Sequence, residues 1–405
     1  MTDSRSEIET VAVVGAGTMG AGIAQVAAMG GFETLLFDPV AEARATARGR
    51  IDGSLGRGAD RGFWSGAEAE AGLANLSVVD RLADLAGADL VIEAVPESLE
   101  LKQALFAELA GTCGPDTLLA TNTSSLSVTA IAGGIDRPQR FLGLHFFNPA
   151  PAMRLVEVVS GALTSPGTAD LAFEAIGRMG KVAIRAQDAI GFVANRCARP
   201  YTLEGLRVSG DLGIDPAEID RICRIGAGFP MGPFELIDLV GADINLAVAK
   251  SFHEQSFGLP RWQPSQMQVK MVDAGRLGRK TGRGFYEYGD GPHREPDPEI
   301  DETRPVLDRD RLIELAGPNA PEVLDRIAAQ IVNEAVFTLA EGIATERDID
   351  IAMLNGFNWP VGPIDWGRRI GFGRVLATLE RLREIHGEAY LPSPLLRKMV
   401  GNTCV

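Results

Sequence analysis

Residues 10–24 read TVAVVGAGTMGAGIA, and the rest of the chain is read outward from them. Val11–Val14 make an apolar strand pattern that runs into Gly15-Ala16-Gly17-Thr18-Met19-Gly20 and then into a helical run. In that order the glycines have separate duties. Gly15 permits a tight turn, Gly17 lets a pyrophosphate approach the backbone, and Gly20 lets the helix pack closely on the strand. Phosphates would rest beside Gly17, Thr18 and Met19, where unpaired N–H groups and the helix dipole favour anions. A second apolar strand, Phe32–Phe37, ends in Asp38, eighteen residues after Gly20. A carboxylate there suits an adenosine ribose and repels a 2′-phosphate, which predicts NAD rather than NADP.

The same stretch is free of charge from Val11 to Phe32, close to the length of a membrane span. Six glycines between Val11 and Gly31 and the lack of a basic flank argue against that reading. The polar start MTDSRSEIET does not resemble a signal peptide. A net charge of −15 argues against general nucleic-acid binding. Four cysteines, Cys113, Cys197, Cys223 and Cys404, stand far apart with no C-x-x-C pair. That spacing predicts a cytoplasmic protein with neither a disulfide frame nor a metal site.

Downstream, Ala41–Asp60 reads as a long helix, with Arg44, Arg48, Arg50, Arg57 and Arg61 forming a basic patch suited either to solvent or to a polyanionic, nucleotide-tailed thioester. Ala88–Val95 is a buried-strand pattern with Glu93 and Glu97 at its ligand-facing end, followed by a helix carrying Lys102. Thr117–Thr121 opens into Asn122-Thr123-Ser124-Ser125, which reads equally as a helix cap or as hydroxyls presented to a cofactor. In FLGLHFFNP (141–149) an apolar strand delivers His145, and Asn148 closes it. Twelve residues on, Glu157 sits inside the apolar run LVEVV. A carboxylate flanked by valines is costly unless paired, and His145 is the evident partner, making a histidine base with a fixed tautomer.

Beyond Lys181–Arg185 and Asp188 the pattern becomes nearly all helical, opening with Asn195. A basic, glycine-rich loop containing Lys280 closes that segment, and a proline- and acid-rich linker follows. Ala217-Glu218-Ile219-Asp220, Gly226, Phe229, Pro230 and Gly232-Pro233 recur as Arg347-Asp348-Ile349-Asp350, Gly356, Trp359, Pro360 and Gly362-Pro363, at a constant offset of 130 residues. A duplicated helical module most simply packs on its twin. The copy brings no second glycine fingerprint, so it predicts architecture and no second cofactor.

GAGTMGAGIA, EAVPE, TNTSSLS, GLHFFNP, LVEVV, GFVANR, GFPMGPFELIDLVG and RKTGRGFYEY together resemble, in order and spacing, the 3-hydroxyacyl-CoA dehydrogenase family. The layout resembles the bacterial subgroup with a doubled C-terminal domain, whose members act on 3-hydroxybutyryl-CoA and 3-hydroxyadipyl-CoA. The resemblance implies an α/β Rossmann-type NAD-binding domain over 1–188, followed by two all-α domains of the 6-phosphogluconate-dehydrogenase-like type over 189–288 and 321–405, with 289–320 as linker. It implies NAD-dependent oxidation of a short (S)-3-hydroxyacyl-CoA, as in fatty-acid β-oxidation. His145 would be the base and Glu157 its orienting partner, with Ser124 and Asn195 holding the reacting oxygen. Asp38, Glu97, Lys102, Asn148 and Lys280 would hold NAD. Ser54 and Arg61 would contact coenzyme A, Arg61 replacing the family's lysine. The helical repeats would form a pseudo-dimer within a chain that is itself monomer or homodimer. A gulonate-type sugar-acid dehydrogenase and a non-catalytic NAD-binding protein are the alternatives, and retention of both His145 and Glu157 speaks against the second.

Overall fold

The computed structural model describes residues 7–298 and 305–401. Cys404, most of the N-terminal segment and part of the expected linker lie outside them. The strands are β1 (Thr10–Val14), β2 (Glu33–Phe37), β3 (Leu76–Val78), β4 (Leu90–Glu93), β5 (Leu118–Thr121), β6 (Phe141–Phe146), β7 (Leu155–Ser160) and β8 (Val182–Gln187). They form one sheet in the order β3-β2-β1-β4-β5-β6-β7-β8. Pairing is parallel throughout except between β6 and β7, which run antiparallel. The chain order reverses at β1, so a ligand crevice opens where the carboxyl ends of β1 and β4 diverge.

The helices of this unit are α1 (Thr18–Met29), α2 (Ala41–Asp60), α3 (Gly66–Ala74), α4 (Leu99–Thr112), α5 (Val128–Ala132) and α6 (Pro166–Arg178). The sequence pattern anticipates most of these elements but not α3 or β3. β3 is three residues long with only Leu76 fully buried, too short to show a period. α3 is set by a Ser65/Glu68 capping box, which satisfies two otherwise orphaned backbone N–H groups.

The first compact unit runs through Phe192, not to 188. Asp188 belongs to it because its carboxylate accepts hydrogen bonds from Ser127 Oγ and from the backbone of Val128 and Thr129. From Val193 onward the chain forms a second unit. Its helices are α7 (Ala194–Leu212), α8 (Pro216–Ala227), α9 (Pro233–Val240), α10 (Ala242–Gln255), α11 (Gln266–Asp273), α12 (Arg309–Ala316), α13 (Ala320–Ala340), α14 (Glu346–Gly356), α15 (Pro363–Ile370), α16 (Phe372–His386) and α17 (Pro394–Gly401). None among the described residues is long and apolar enough to cross a membrane.

The repeat is visible in atomic detail. Asp220 accepts from the backbone N–H of Phe234 and Glu235, capping α9, and Asp350 accepts from Ile364 and Asp365, capping α15. Both copies share one core instead of folding as two separate bodies, because their long helices α7 and α13 pair reciprocally. Arg196 Nε donates to Glu334 at 2.7 Å, and Arg326 Nε donates to Glu204 at 2.8 Å. Arg196 also reaches Glu341, and Arg326 reaches Asp211. Each partner is 130 residues from its counterpart, so the two helices meet as the two halves of an isologous interface do. The described part of the expected linker is pinned to this unit. Asp297 ion-pairs with Arg224, Val306 N–H bonds to Gly226 O, and 309–316 is helical.

Two outcomes test these placements. Glu204→Ala removes the fully buried carboxylate of Arg326, which is 1% exposed, leaving it Asp211 alone, and should lower stability by about 3–5 kcal/mol in denaturant melts, whereas replacing both residues by leucine should restore most of it. Burial pushes Asp220 up to about 7 against the hydrogen bond from Tyr286. The unfolded value lies near 3.9, so the folded state binds more protons between about pH 4 and 7, and this contribution to stability is lost as pH rises through 7. Asp220→Asn should reduce the fall of Tm between about pH 4 and 7; Asp350, raised in the same direction by burial, keeps part of it.

Candidate active site

The glycine loop is built as its sequence requires. Gly15 has φ +107°, and a Cβ there would lie 2.6 Å from Ala94 O. A Cβ on Gly20 would fall 1.8 Å from Gly15 O, so helix and turn touch only because residue 20 is glycine. Gly17, the N-cap of α1, faces open space, and no side chain caps the helix. The leading N–H groups of α1 therefore face a cradle sized for phosphate. Thr18 is exposed at its start, whereas the Met19 side chain packs on the core.

Asp38 stands at the end of β2, with one oxygen accepting from Ala16 N–H at 2.7 Å and the other from Val40 N–H at 2.8 Å. Each carboxylate oxygen keeps a second lone pair for ribose hydroxyls. These features fit a bound NAD.

On the β4 side, Glu93 is wholly buried and accepts from Lys102 Nζ at 2.6 Å, Thr121 Oγ1 at 2.7 Å and Val95 N–H at 2.7 Å. Lys102 is 1% exposed and also lies 3.3 Å from Glu97. It is therefore a buried counter-ion under the loop, where the sequence reading had it facing cofactor. Glu97 in turn accepts from Thr123 and Ser125 hydroxyls and from the Ser124 and Ser125 backbone. Its carboxyl is half-buried, which works against the charge, but these donors and Lys102 hold it below the usual carboxylate range. The tetrapeptide after β5 is thus a clamped loop. The cap of α5 is Ser127, and Asn122 Oδ1 accepts from Phe146 N–H to fix the end of β6.

On β6 and β7, His145 and Glu157 are direct cross-strand partners, with His145 Nδ1 2.6 Å from Glu157 Oε2. Both are buried, Glu157 completely. The ring lies against Phe147 and Phe192, at 4.4 and 5.6 Å between centroids. Asn148 follows two residues beyond the strand, before a cis peptide to Pro149.

The arginine patch divides. Arg44 bonds to the carbonyls of Asp38 and Pro39, and Arg48 to those of Leu73 and Leu76, so these two are structural. Arg50 ties Ala16 O to α2 at 2.6 Å. Arg50, Arg57 and Arg61, with Ser54, Phe63 and Trp64, line a cavity of about 610 Å³ closed by Thr18, Gly22 and Gln25 of α1 and by Pro149–Ala152. Gln25 escaped the sequence reading. It is 1% exposed in an apolar helix, yet its amide nitrogen has no hydrogen-bond partner among the described residues.

Asn195 and Lys280 belong to the second unit. Asn195 lies in the first turn of α7, and Lys280 Nζ pairs with Asp243 at 2.6 Å.

A nucleotide crevice at the switch point of a parallel sheet, with a buried His–Glu pair on neighbouring strands of the same sheet, defines a nicotinamide-dependent dehydrogenase. Comparison sharpens the class. The NAD binding domain of 3-hydroxyacyl-CoA dehydrogenase matches residues 10–189, and the C-terminal domain of the same family matches 191–288 and again 323–404. The chain belongs to the 3-hydroxyacyl-CoA dehydrogenase family. It is 40% identical to a 3-hydroxyadipyl-CoA dehydrogenase of Escherichia coli over 96% of this chain and 97% of that one. A probable 3-hydroxybutyryl-CoA dehydrogenase of Deinococcus radiodurans is 41% identical over 68% of this chain and 99% of its own length. The crystal structure of an Escherichia coli 3-hydroxybutyryl-CoA dehydrogenase superposes with a TM-score of 0.89 at 38% identity, covering 98% of this chain and 99% of that one. The activity is NAD-dependent oxidation of 3-hydroxyacyl-CoA.

Removing the buried counter-ion tests the loop assignment. Lys102→Met leaves Glu93 buried without its cation and should cost about 3–5 kcal/mol in stability, with NAD binding weakened as measured by titration calorimetry.

Proposed function

We propose that His145 is the general base for the 3-hydroxyl of a short-chain (S)-3-hydroxyacyl-CoA and that Glu157 orients it. The single observation behind this reading is the 2.6 Å contact between His145 Nδ1 and a fully buried carboxylate. With Nδ1–H directed at Glu157, the other ring nitrogen carries the lone pair and accepts the hydroxyl proton; the carboxylate then stabilises the imidazolium. NAD, when bound, supplies the hydride acceptor. Gly15, Gly17 and Gly20 form the phosphate cradle, Thr18 and Met19 add their backbone to it, and Asp38 holds the ribose. Glu97 and Asn148 border the nicotinamide end, and Ser124 holds the reacting oxygen.

Ser54, Arg57 and Arg61 face the phosphates of the coenzyme A tail, a polyanion matched by guanidinium groups that have no ion pair among the described residues. The reciprocal helices give each repeat its mate inside the chain, a pseudo-dimer that suits a monomer as well as a homodimer. Buried Cys113 and Cys223, free thiols among the described residues, accord with a cytoplasmic setting.

The test is kinetic. Glu157→Gln keeps the shape but loses the charge that fixes the tautomer, and kcat should fall by about 10²–10⁴-fold. The Kd for NAD, read by fluorescence titration, should stay within about threefold, because the carboxylate touches the imidazole and not the nucleotide crevice.

A further inference from the structure

Helix α1 buries a polar residue that neither the phosphate cradle nor the His–Glu pair uses. Every residue from Gly20 to Ala28 is buried, and Gln25 alone among them has a polar side chain. It is 1% exposed, and its amide nitrogen has no hydrogen-bond partner among the described residues. A buried donor left unmatched is destabilising, and the large majority of buried polar side chains find a partner. The packing of the helix does not ask for one here. Ile23, Val26 and Ala27 lie in the core, and methionine would fill the place of Gln25 at similar volume with no donor to satisfy. A carboxamide that the fold does not need points to a partner outside the chain.

Gln25 is also one of the residues lining the cavity of about 610 Å³ in the first unit. With Thr18, Ala21 and Gly22 it follows the spacing of a single helix face, so one stripe of α1 makes a wall about 10 Å long. Ser54, Arg57 and Arg61 supply a second wall from α2 by the same periodicity. Trp64 adds an aromatic side. Its Nε1 donates to Leu55 O at 2.8 Å, and a Cβ on Gly58 would fall 1.9 Å from its ring, so α2 is notched to seat the indole. The cavity therefore offers guanidiniums, a small and apolar surface, and one neutral carboxamide. Guanidiniums answer phosphate. The complement of a carboxamide is another amide, N–H to C=O.

We propose that Gln25 seats the pantetheine arm of the acyl-CoA, its carboxamide donating to the carbonyl of a secondary amide in that arm. The inference deepens the reading of this cavity as the place of the coenzyme A tail, and it rests on that reading. The arm is a thread of short alkyl segments interrupted by amides, with phosphates beyond it. Ala21, Gly22 and Trp64 suit the alkyl segments, Arg57 and Arg61 the phosphates, and Gln25 the amide between. The bond lies away from the reacting carbon and is the same before and in the transition state, so Gln25 is a binding residue that acts on KM and leaves the chemical step alone.

The experiment compares the full chain and Gln25→Met, both with NAD, on two thioesters that share the reacting end, (S)-3-hydroxybutyryl-pantetheine and S-ethyl (S)-3-hydroxybutanethioate. Only the first carries amides. The substitution should raise KM for the pantetheine ester about 10–100-fold with kcat within about threefold, and the ratio of the two kcat/KM values should fall by the same factor. Gln25→Met should also unfold at a denaturant concentration no lower than the wild type, because it removes an unmatched buried donor. A glutamine that only supports the fold would depress both esters alike. An unchanged ratio overturns the proposal, and so does a variant that is less stable or does not fold, since a carboxamide unmatched in the free protein cannot be what holds α1. If the ethyl ester turns over too slowly to follow, inhibition by S-methylpantetheine decides: it should be at least tenfold weaker against Gln25→Met, and equal inhibition overturns the proposal. The double variant Arg57→Met, Arg61→Met tests the underlying reading separately, with 3-hydroxybutyryl-CoA measured beside the pantetheine ester. A KM raised at least tenfold for the CoA ester alone upholds the cavity as the place of the phosphate-bearing tail, whatever Gln25→Met shows. No change for either ester sinks that reading and this inference with it.

Discussion

Glu157, a carboxylate with no exposed surface, is met by an imidazole 2.6 Å away on the next strand. That single requirement, that a buried charge be met, organises much of the rest. It fixes the register of the antiparallel pair β6–β7, where a slip of one residue would turn His145 and Glu157 to opposite faces. It puts Lys102 under the loop beside β4, and it locks α7 to α13 through two reciprocal arginine–carboxylate clusters. The chemistry follows from the same constraint. A histidine whose Nδ1 is claimed by a carboxylate has one free nitrogen and one tautomer, which is what abstraction of a hydroxyl proton demands.

The glycine fingerprint, the ribose carboxylate and the His–Glu pair were legible in the sequence because each is a local or compensated anomaly. Glycines in fixed order cannot be replaced without the clashes found at Gly15 and Gly20, and a glutamate among valines announces that it has a partner. Other features were not legible. Which arginines of α2 are structural depends on where distant carbonyls fall: Arg48 bonds to Leu73 and Leu76, whereas Arg57 lines the cavity. Lys102 reads as a surface lysine until the fold buries it. The repeat is legible in its turn residues, Asp220 with Gly232 and Asp350 with Gly362, where backbone geometry restricts the choice. Its extension through α7 and α13 keeps little more than Arg196 as Arg326, Glu204 as Glu334 and an acid at 211 and 341, too few positions to show as a repeat. The antiparallel turn at β7 was equally hidden, since a buried strand looks alike in either direction.

Relatives of similar identity carry different substrate names, 3-hydroxyadipyl for one and 3-hydroxybutyryl for another. The crevice and glycine loop cannot by themselves separate those substrates, because both present the same thioester. Discrimination has to come from whatever meets the far end of the acyl chain. An uncharged methyl terminus asks only for apolar surface, while an acid terminus asks for a cation held ready and otherwise unspent.

Pairing α7 with a helix of its own chain has a kinetic corollary. A contact between separate subunits loosens when protein becomes scarce, but a mate tethered in the same polypeptide stays at constant effective concentration. The α7–α13 contact is thus indifferent to dilution.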